Sequence, residues 1–224
     1  MPFYDDLMNA TAEARDRFNA LPILQRAVRG DITLDEYRRY LGQAYHHVRH
    51  TVPLLMSCGA RLPERLDWLR AAVAEYIAEE NGHELWILDD IAACGGDSGH
   101  RSSRPLPETE LMVAYAYDVV QRRNPAGFFG MVLVLEGTSV ALASRAAAAI
   151  QARLGLPKEA FRYLTSHGAL DQDHVRFFEN LMNRIEEPCD REDIVHSARM
   201  FYRLYGDLFR ALDQPRTHEG VAYG

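Results

Sequence analysis

The stretch GFFGMVLVLEGTSVALASRAAAAI, residues 127–150, is the most apolar part of the chain and the part that decides its fold. Apolar residues continue around nearly the whole circumference of a helix here, so this helix is expected to be surrounded by other helices. A single acid, Glu136, stands inside the apolar run. Because a buried carboxylate without a partner is costly, Glu136 is expected to be paired, protonated or bound to a metal.

The 3.6-residue periodicity of apolar side chains continues along the rest of the chain, and no stretch alternates as a strand would. We therefore expect an all-α protein: one domain over residues 1–212, built as a seven-helix bundle, followed by a frayed tail over 213–224. The expected helices cover 5–20, 34–59, 63–93, 108–123, 127–153, 158–186 and 190–212.

Local signals mark several of these helix ends. Thr33 and Glu36 have the spacing of a capping box at the start of the second helix. Pro53 is expected to kink that helix, and Gly59 to end it. The segment CGGDSGHRSSRPLP, residues 94–107, is the one clear loop between helices.

Composition excludes several classes of protein. The 224 residues carry a formal net charge of −7, whereas a nucleic-acid-binding protein would show a basic face. The N-terminal segment is acidic where a signal peptide would be basic, and no apolar run is expected to reach the ~20 residues that span a bilayer. Three cysteines without a CxxC spacing favour free thiols in a reducing compartment. We expect a cytoplasmic protein that binds neither nucleic acid nor membrane.

The stretch SHGALDQDHVRFF, residues 166–178, is the second unusual part of the sequence. At about 100° per residue, His167, Asp171 and His174 fall within roughly 60° of one another, over about 10 Å of helix axis. Three such side chains on one stripe indicate a metal site. The alternative is a solvated face on which the histidines have no special role.

Another pair of possible metal ligands lies in EENGHELW, residues 79–86. Glu80 and His83 form a Glu-x-x-His pair, the pattern with which helical bundles hold di-iron or di-manganese centres. Glu79 lies four residues before His83, and spacing does not choose between Glu79 and Glu80. A surface Glu–His pair is the simpler interpretation of this stretch taken alone.

The stretch YHHVRH, residues 45–50, adds three further histidines. His46 and His50 share a helix face, as do His47 and His50, so at most one of these two pairs is expected to point inward. Either His46 or His47 would then be an additional ligand, and the others would be core or supporting histidines.

Imidazole and carboxylate ligands without thiolates favour iron or manganese over structural zinc or an iron–sulfur cluster. Two ferrous ions carry four positive charges, most of which three carboxylates neutralise. Glu136 and Asp171 are the candidate bridging, catalytic ligands. The complete candidate set is Glu80, His83, Glu136, His167, Asp171 and His174.

Together, Glu80-x-x-His83, the lone Glu136 and His167-x3-Asp171-x2-His174 resemble the ligand pattern of the heme-oxygenase-like di-iron oxidases and oxygenases. The helical organisation over about residues 10–210 also resembles the wider superfamily of TenA and pyrroloquinoline-quinone synthase. The resemblance implies a seven-helix heme-oxygenase-like fold, usually dimeric. It also implies two irons, one of them labile, that activate dioxygen on an amino acid, an amine or a fatty-acid-like substrate.

The sequence departs from the patterns of its relatives in three ways. Members of the di-iron family supply one more carboxylate from an early helix, where this chain has Gln43, His46 and His47. TenA thiaminases would have a cysteine in the helix over 127–153, which contains none. Haem oxygenase uses a histidine near its N-terminus, and this chain has none before His46.

Alternative interpretations remain open at this point. The same residues could act as acids and bases in a cofactor-independent enzyme of the quinone-synthase type, or hold a metal in a binding or regulatory protein without turnover. Glu136 could instead form a buried salt bridge, for instance with Arg145. If the iron interpretation holds, an apolar wall excludes water from the reaction; its expected members are Phe128, Phe129, Met131 and Leu135.

Overall fold

A computed structural model describes residues 2–96, 103–169 and 171–214, and all regular secondary structure in these ranges is helical. The all-α prediction is confirmed. The helices are α1 (Phe3–Ala10), α2 (Ala12–Asn19), α3 (Pro22–Ala27), α4 (Leu34–Val48), α5 (Thr51–Arg61), α6 (Asp67–Glu80), α7 (His83–Ala93), α8 (Pro107–Arg122), α9 (Phe128–Thr138), α10 (Ser144–Leu154), α11 (Arg162–Ala169), α12 (Asp171–Asn183) and α13 (Pro188–Leu212).

The apolar stretch around Glu136 forms the centre of the bundle. Helix α9 is buried along Phe128–Val134 and packs most extensively against α13, the longest helix. The two backbones approach closely at Gly130, where an added Cβ would lie 2.5 Å from the Ala198 nitrogen and 2.7 Å from the Ile194 oxygen. The buried side chains of the other helices join these two in a hydrophobic core.

The predicted helix over 127–153 is helical throughout but not uniformly α-helical. A π-helical turn, Ser139–Ala143, separates α9 from α10. Among the described residues, Pro125–Leu154 is the one helical stretch long and apolar enough to cross a membrane, and 56% of its most apolar window is buried inside the protein. A buried core helix meets the same criteria of length and composition.

The second predicted helix is two helices. The capping box is present: the Thr33 hydroxyl accepts from the Glu36 N–H at 3.2 Å, and the Glu36 carboxylate accepts from the Thr33 N–H at 2.8 Å. The kink predicted at Pro53 is wrong, because the chain turns earlier, between Val48 and Thr51. Pro53 lies in the first turn of α5, where an N–H has no partner within the helix. Gly59 lies inside α5.

The third predicted helix is also interrupted. Its continuous course over 63–93 is wrong, because α6 ends at Glu80 and α7 begins at His83. Gly82 has φ +95°, a left-handed conformation that side chains other than glycine rarely adopt. Nothing lies within 4 Å of a Cβ added there, so backbone conformation and not close packing accounts for this glycine. Glu80 and His83 therefore lie on opposite sides of a helix break.

The two ends of the chain also differ in detail from the prediction. The first helix is divided at Thr11 into α1 and α2, and α3 adds a short turn beginning at Pro22. The sixth predicted helix corresponds to α11 and α12 on either side of residue 170, which lies outside the described residues. The tail predicted over 213–224 falls outside them from residue 215 onward.

The close contact between α9 and α13 predicts opposite effects for two glycines of α9. We expect Gly130→Ala to lower the free energy of unfolding by about 1–3 kcal/mol, because its methyl group overlaps the backbone of α13. Gly137→Ala is the matched control: nothing lies within 4 Å of its Cβ position, and alanine should stabilise the helix by up to about 1 kcal/mol. Urea denaturation followed by circular dichroism measures both; equal effects would contradict the packing argument.

Candidate metal centre

A buried cavity of about 60 Å³ lies beside Glu136 and is the first feature of the candidate site. Helix α4 contributes His47 to its wall, α6 contributes Tyr76 and Glu80, and α9 contributes Glu136. Tyr163 of α11 completes this side of the wall. Side chains that are far apart in the sequence thus meet around one space.

The electrostatics of this cavity are dominated by carboxylates. Burial raises the pKa of Glu136 well above its usual range, and the negative charges of Glu80 and Glu79 raise it further. Within the described residues Glu136 forms no ion pair, and Arg145 is exposed on α10. The salt bridge considered as an alternative is therefore not found in this part of the chain. A cation between these carboxylates would relieve their repulsion.

Glu80 and His83 are brought into contact across the break between α6 and α7. Nδ1 of His83 lies 3.0 Å from Oε2 of Glu80, and the imidazole ring is buried against Trp86, with 4.1 Å between the ring centroids. His83 does not line the cavity beside Glu136, whereas Glu80 does. With the proton on Nδ1, the imidazole orients the Glu80 carboxylate, as hydrogen bonds commonly do around metal ligands.

The two acids that spacing left equivalent differ in position. Glu79 is exposed and is absent from the cavity wall, while Glu80 is half-buried and faces the cavity. The difference arises because α6 packs through one face, and residue 80 follows Tyr76 on that face by one helical turn. Glu79 acts on the site through its charge.

The three early histidines point to three different surroundings. His47 lines the cavity. His46 is buried, with Nε2 3.0 Å from the Ser103 hydroxyl, and Nδ1 of His50 lies 3.1 Å from the Tyr117 hydroxyl. His46 and His50, which share a helix face, are both absent from the cavity wall, and His47 lines it without His50. Of these histidines, His47 is therefore the one in position to join Glu80 and Glu136.

The three residues of the second motif lie on α11 and α12. His167 is near the end of α11, which packs against α7 and the π-helical turn, and Asp171 begins α12. The side chains of His167, Asp171 and His174 lie outside the described part of the structure. Within the described residues, no three His, Cys, Asp or Glu side chains are close enough to hold a metal.

Tyr76 was not singled out by the sequence, yet it shares the cavity with Glu80 and Glu136. Its side chain is 3% exposed, and its hydroxyl has no hydrogen-bond partner among the described residues. Burial raises the pKa of Tyr76, and the charge of Glu136 raises it further. The sequence feature that could have identified Tyr76 is its spacing: it precedes Glu80 by four residues and therefore shares its helix face.

Comparison with known proteins identifies the family. Residues 38–206 match the family described as iron-containing redox enzymes. The chain belongs to this family. The matched segment includes all the candidate ligands, from His46 to His174. No curated protein sequence gives a significant match.

Solved structures place this family member in the heme-oxygenase-like fold. A protein of unknown function with that fold, from Shewanella denitrificans, is 23% identical, with a TM-score of 0.81 over 95% of this chain and 92% of the other. A TenA homologue from Pseudomonas syringae is 14% identical, with a TM-score of 0.80 over 95% and 93%. Heme oxygenase-1 from Synechocystis, in complex with heme, is 12% identical, with a TM-score of 0.75 over 95% and 93%. At these identities the likeness shows the fold alone, and it confirms the expected heme-oxygenase-like fold.

Three of the four expected members of the apolar wall line the cavity. Phe128, Met131 and Leu135 line the cavity beside Glu136. Phe129 is fully buried but is not part of this wall. Residues three or four apart lie on the same face of α9. Phe129 follows Phe128 directly, so its side chain is rotated by about 100° and points away from the cavity.

Asp90 anchors the helix that carries His167. This residue of α7 is fully buried, and its two carboxyl oxygens accept hydrogen bonds from the backbone N–H groups of Arg162 and Tyr163, at 3.1 and 2.9 Å. These are the first two residues of α11, whose N–H groups have no partner within the helix. Asp90 therefore fixes the start of α11 relative to α7, the helix that begins with His83.

Removal of the Asp90 carboxyl group should destabilise the protein. We expect Asp90→Ala to lower the free energy of unfolding by about 1–3 kcal/mol, because it leaves buried N–H groups without an acceptor. The neighbouring Asp89 is exposed, so Asp89→Ala should change stability by less than about 0.5 kcal/mol. Chemical denaturation compares the two variants, and equal losses would rule out the anchoring role.

Asp90 also predicts a pH dependence of stability. Burial raises its pKa from 3.8 to about 6, so the folded protein binds this proton more tightly than the unfolded chain does. The stabilisation is complete below pH 3.8 and is lost as the pH rises through about 6. Relative to Asp90→Asn, wild-type stability should fall by up to about 3 kcal/mol between about pH 4 and pH 7. Urea denaturation at successive pH values tests this, and a constant difference would refute it.

Proposed function

We propose that this member of the family is a non-haem di-iron oxidase or oxygenase, which uses dioxygen to oxidise a small organic substrate. The substrate would be an amino acid, an amine or a fatty-acid-like molecule. The observation that carries the proposal is the convergence of Glu80, Glu136 and His47 on one buried cavity. These carboxylates repel each other in the absence of a cation, and the family is one of iron-containing redox enzymes.

The chemistry of the donor groups fits iron. Carboxylate oxygens and imidazole nitrogens suit iron or manganese, and no cysteine lines the cavity. The three described donors need partners to complete two metal sites, and α11 and α12 carry three more at the expected spacing. The residues that would hold the irons are Glu80, His83, Glu136, His167, Asp171 and His174, with His47 as a further ligand in place of the carboxylate that the resemblance implies.

The size of the cavity favours a small metal centre over haem. Its open space of about 60 Å³ accommodates roughly five water-sized groups. A porphyrin is far larger than this space. The absence of any histidine before His46 supports the same conclusion, given the N-terminal histidine that haem oxygenase uses.

The side chains of this chain would bind, shield and orient the reacting groups. When bound here, iron would supply the reduction of dioxygen and the oxidation of the substrate. Glu136 and Asp171 would hold the irons through their carboxylates and balance their charge. Phe128, Met131 and Leu135 would exclude water from the reaction. The buried hydroxyl of Tyr76 would donate a hydrogen bond to a carboxylate of the site.

A second candidate function is acid–base catalysis without a metal. The raised pKa of Glu136 favours it, since a carboxyl group that holds its proton more tightly than usual can serve as a general acid. A third candidate is a metal-binding or regulatory protein without turnover, which would hold its metal with no open coordination position.

The di-iron proposal has further parts. We propose that the protein is a cytoplasmic homodimer and that it binds neither nucleic acid nor membrane. Manganese is the alternative metal.

The iron proposal predicts a specific effect of Glu136. We expect metal-free wild-type protein to take up about two ferrous ions per chain under anaerobic conditions, as two-metal helical centres do. Glu136→Gln should weaken uptake at least tenfold while the helical circular dichroism spectrum stays unchanged. The matched control is Glu79→Gln, which alters a nearby exposed acid outside the cavity wall and should retain both irons.

Exposure of the loaded proteins to dioxygen extends this test. Wild type and Glu79→Gln should consume dioxygen and show a transient visible absorption, whereas Glu136→Gln should not. Stoichiometric iron in Glu136→Gln would refute the role of this residue. Absence of iron binding in wild type would favour the acid–base function, and stable ferrous binding without dioxygen consumption would favour the regulatory one.

A further inference from the structure

A second cavity, lined almost entirely by apolar side chains, lies next to the candidate metal centre. It contains about 80 Å³ of open space between α3, α4, α10, α13 and the π-helical turn. Aliphatic and aromatic groups from these elements form its wall; among them are Leu24, Val28, Leu142, Ala146, Ile150 and Phe209. We call this space the apolar chamber.

Most polar side chains of the chamber wall are engaged with one another or with the backbone. The Tyr37 hydroxyl donates to the Ala160 carbonyl at 2.8 Å, and the Ser139 hydroxyl donates to the Leu135 carbonyl at 2.9 Å. Water in such a space would find few partners, and apolar cavities of this kind stay dry and bind apolar molecules.

Three of the four remaining polar side chains of the wall, Glu36, Tyr40 and Tyr205, follow the same pattern; the fourth is Thr138. The hydroxyls of Tyr40 and Tyr205 share a hydrogen bond. The Glu36 carboxylate accepts from the Arg26 guanidinium at 2.6 Å and from the Thr33 N–H at 2.8 Å. None of these three groups is available as a strong anchor for a polar ligand. The chamber therefore selects for an aliphatic group.

The chamber adjoins the cavity of Glu136. Ser139 and Tyr205 line both spaces, so the two lie on either side of the same two side chains. Ser139 follows Glu136 by three residues and begins the π-helical turn, which also supplies Leu142 and Ala143 to the chamber. Turns of this kind occur frequently at functional sites. A group held in the chamber would end beside the candidate metal centre.

We propose that the apolar chamber binds the aliphatic chain of the substrate, whose polar and reactive end then lies at the Glu80 and Glu136 cavity. Because a cavity of about 150 Å³ holds the six carbons of benzene, the space of about 80 Å³ corresponds to a chain of about three carbons. The role as a substrate chamber rests on the proposed function, whereas the binding of an aliphatic chain does not depend on iron. Among the proposed substrates, this selects an aliphatic amine or a fatty-acid-like molecule over a polar amino acid.

Binding of linear primary alcohols to the metal-free protein tests the chamber directly. Their neutral hydroxyl avoids repulsion by the carboxylates and requires no metal. In calorimetric titrations from methanol to octanol, affinity should increase about fourfold for each added methylene, until the chain reaches about three carbons, and then level off. Affinity that does not depend on chain length would overturn the proposal.

Two variants of the wall should shift this limit in opposite directions. Ala146→Leu narrows the chamber and should level off at shorter alcohols, whereas Leu142→Ala widens it and should extend the increase to longer ones. Ala148→Leu is the matched control, since Ala148 is exposed on the same helix and should leave the series unchanged. The opposite shifts cannot result from a general loss of folding. The same limit in both chamber variants and the control would overturn the assignment.

Ferrous titration of the same protein separates this inference from the proposed function. If alcohols bind as expected and iron does not, the chamber stands as an aliphatic site and the iron proposal fails. If iron binds and the alcohols do not, the iron centre stands and the chamber proposal is overturned.

Discussion

The burial of one carboxylate in the most apolar helix constrains the whole candidate site. Glu136 follows the buried part of this helix, Phe128–Val134, and the charge of Glu80 acts on it across the same cavity. The charge of Glu80 raises the pKa of Glu136, so either a proton or a cation must balance the two acids. This choice separates the acid–base function from the metal-dependent one. A charge that is costly to bury is best explained by a role that requires it there.

The scaffold holds the elements of the site by contacts that are themselves buried and specific. The close approach of α9 to α13 at Gly130 fixes the helix of Glu136. The two hydrogen bonds of Asp90 fix the start of α11 relative to α7. The left-handed conformation of Gly82 ends one helix and starts the next, which lets His83 reach back to Glu80. Each contact acts on the position of a ligand-bearing helix, so the geometry of the site is a property of the packed bundle.

The apolar chamber and the polar cavity divide the interior according to the chemistry of their walls. The polar cavity is lined by carboxylates and an imidazole. The apolar chamber offers mainly aliphatic and aromatic surface, because its polar groups are hydrogen-bonded. The π-helical turn joins the two, since a single distorted segment supplies Ser139 to both. A substrate with one polar end and one apolar end matches this division. Family membership describes the redox chemistry, while the chamber bears on the substrate.

The sequence by itself determined the helical class, the burial of Phe128–Val134 in the most apolar helix and the capping box at Thr33. These follow from local signals: periodicity, hydrophobicity and residue spacing. It did not distinguish Glu79 from Glu80 or His46 from His47, nor did it identify Tyr76, the helix break at Gly82 or the π-helical turn. Neighbouring positions on a helix differ only in the direction they face, and that direction depends on which helices pack against them. Only the tertiary structure decided these, because they depend on contacts between residues far apart in the chain.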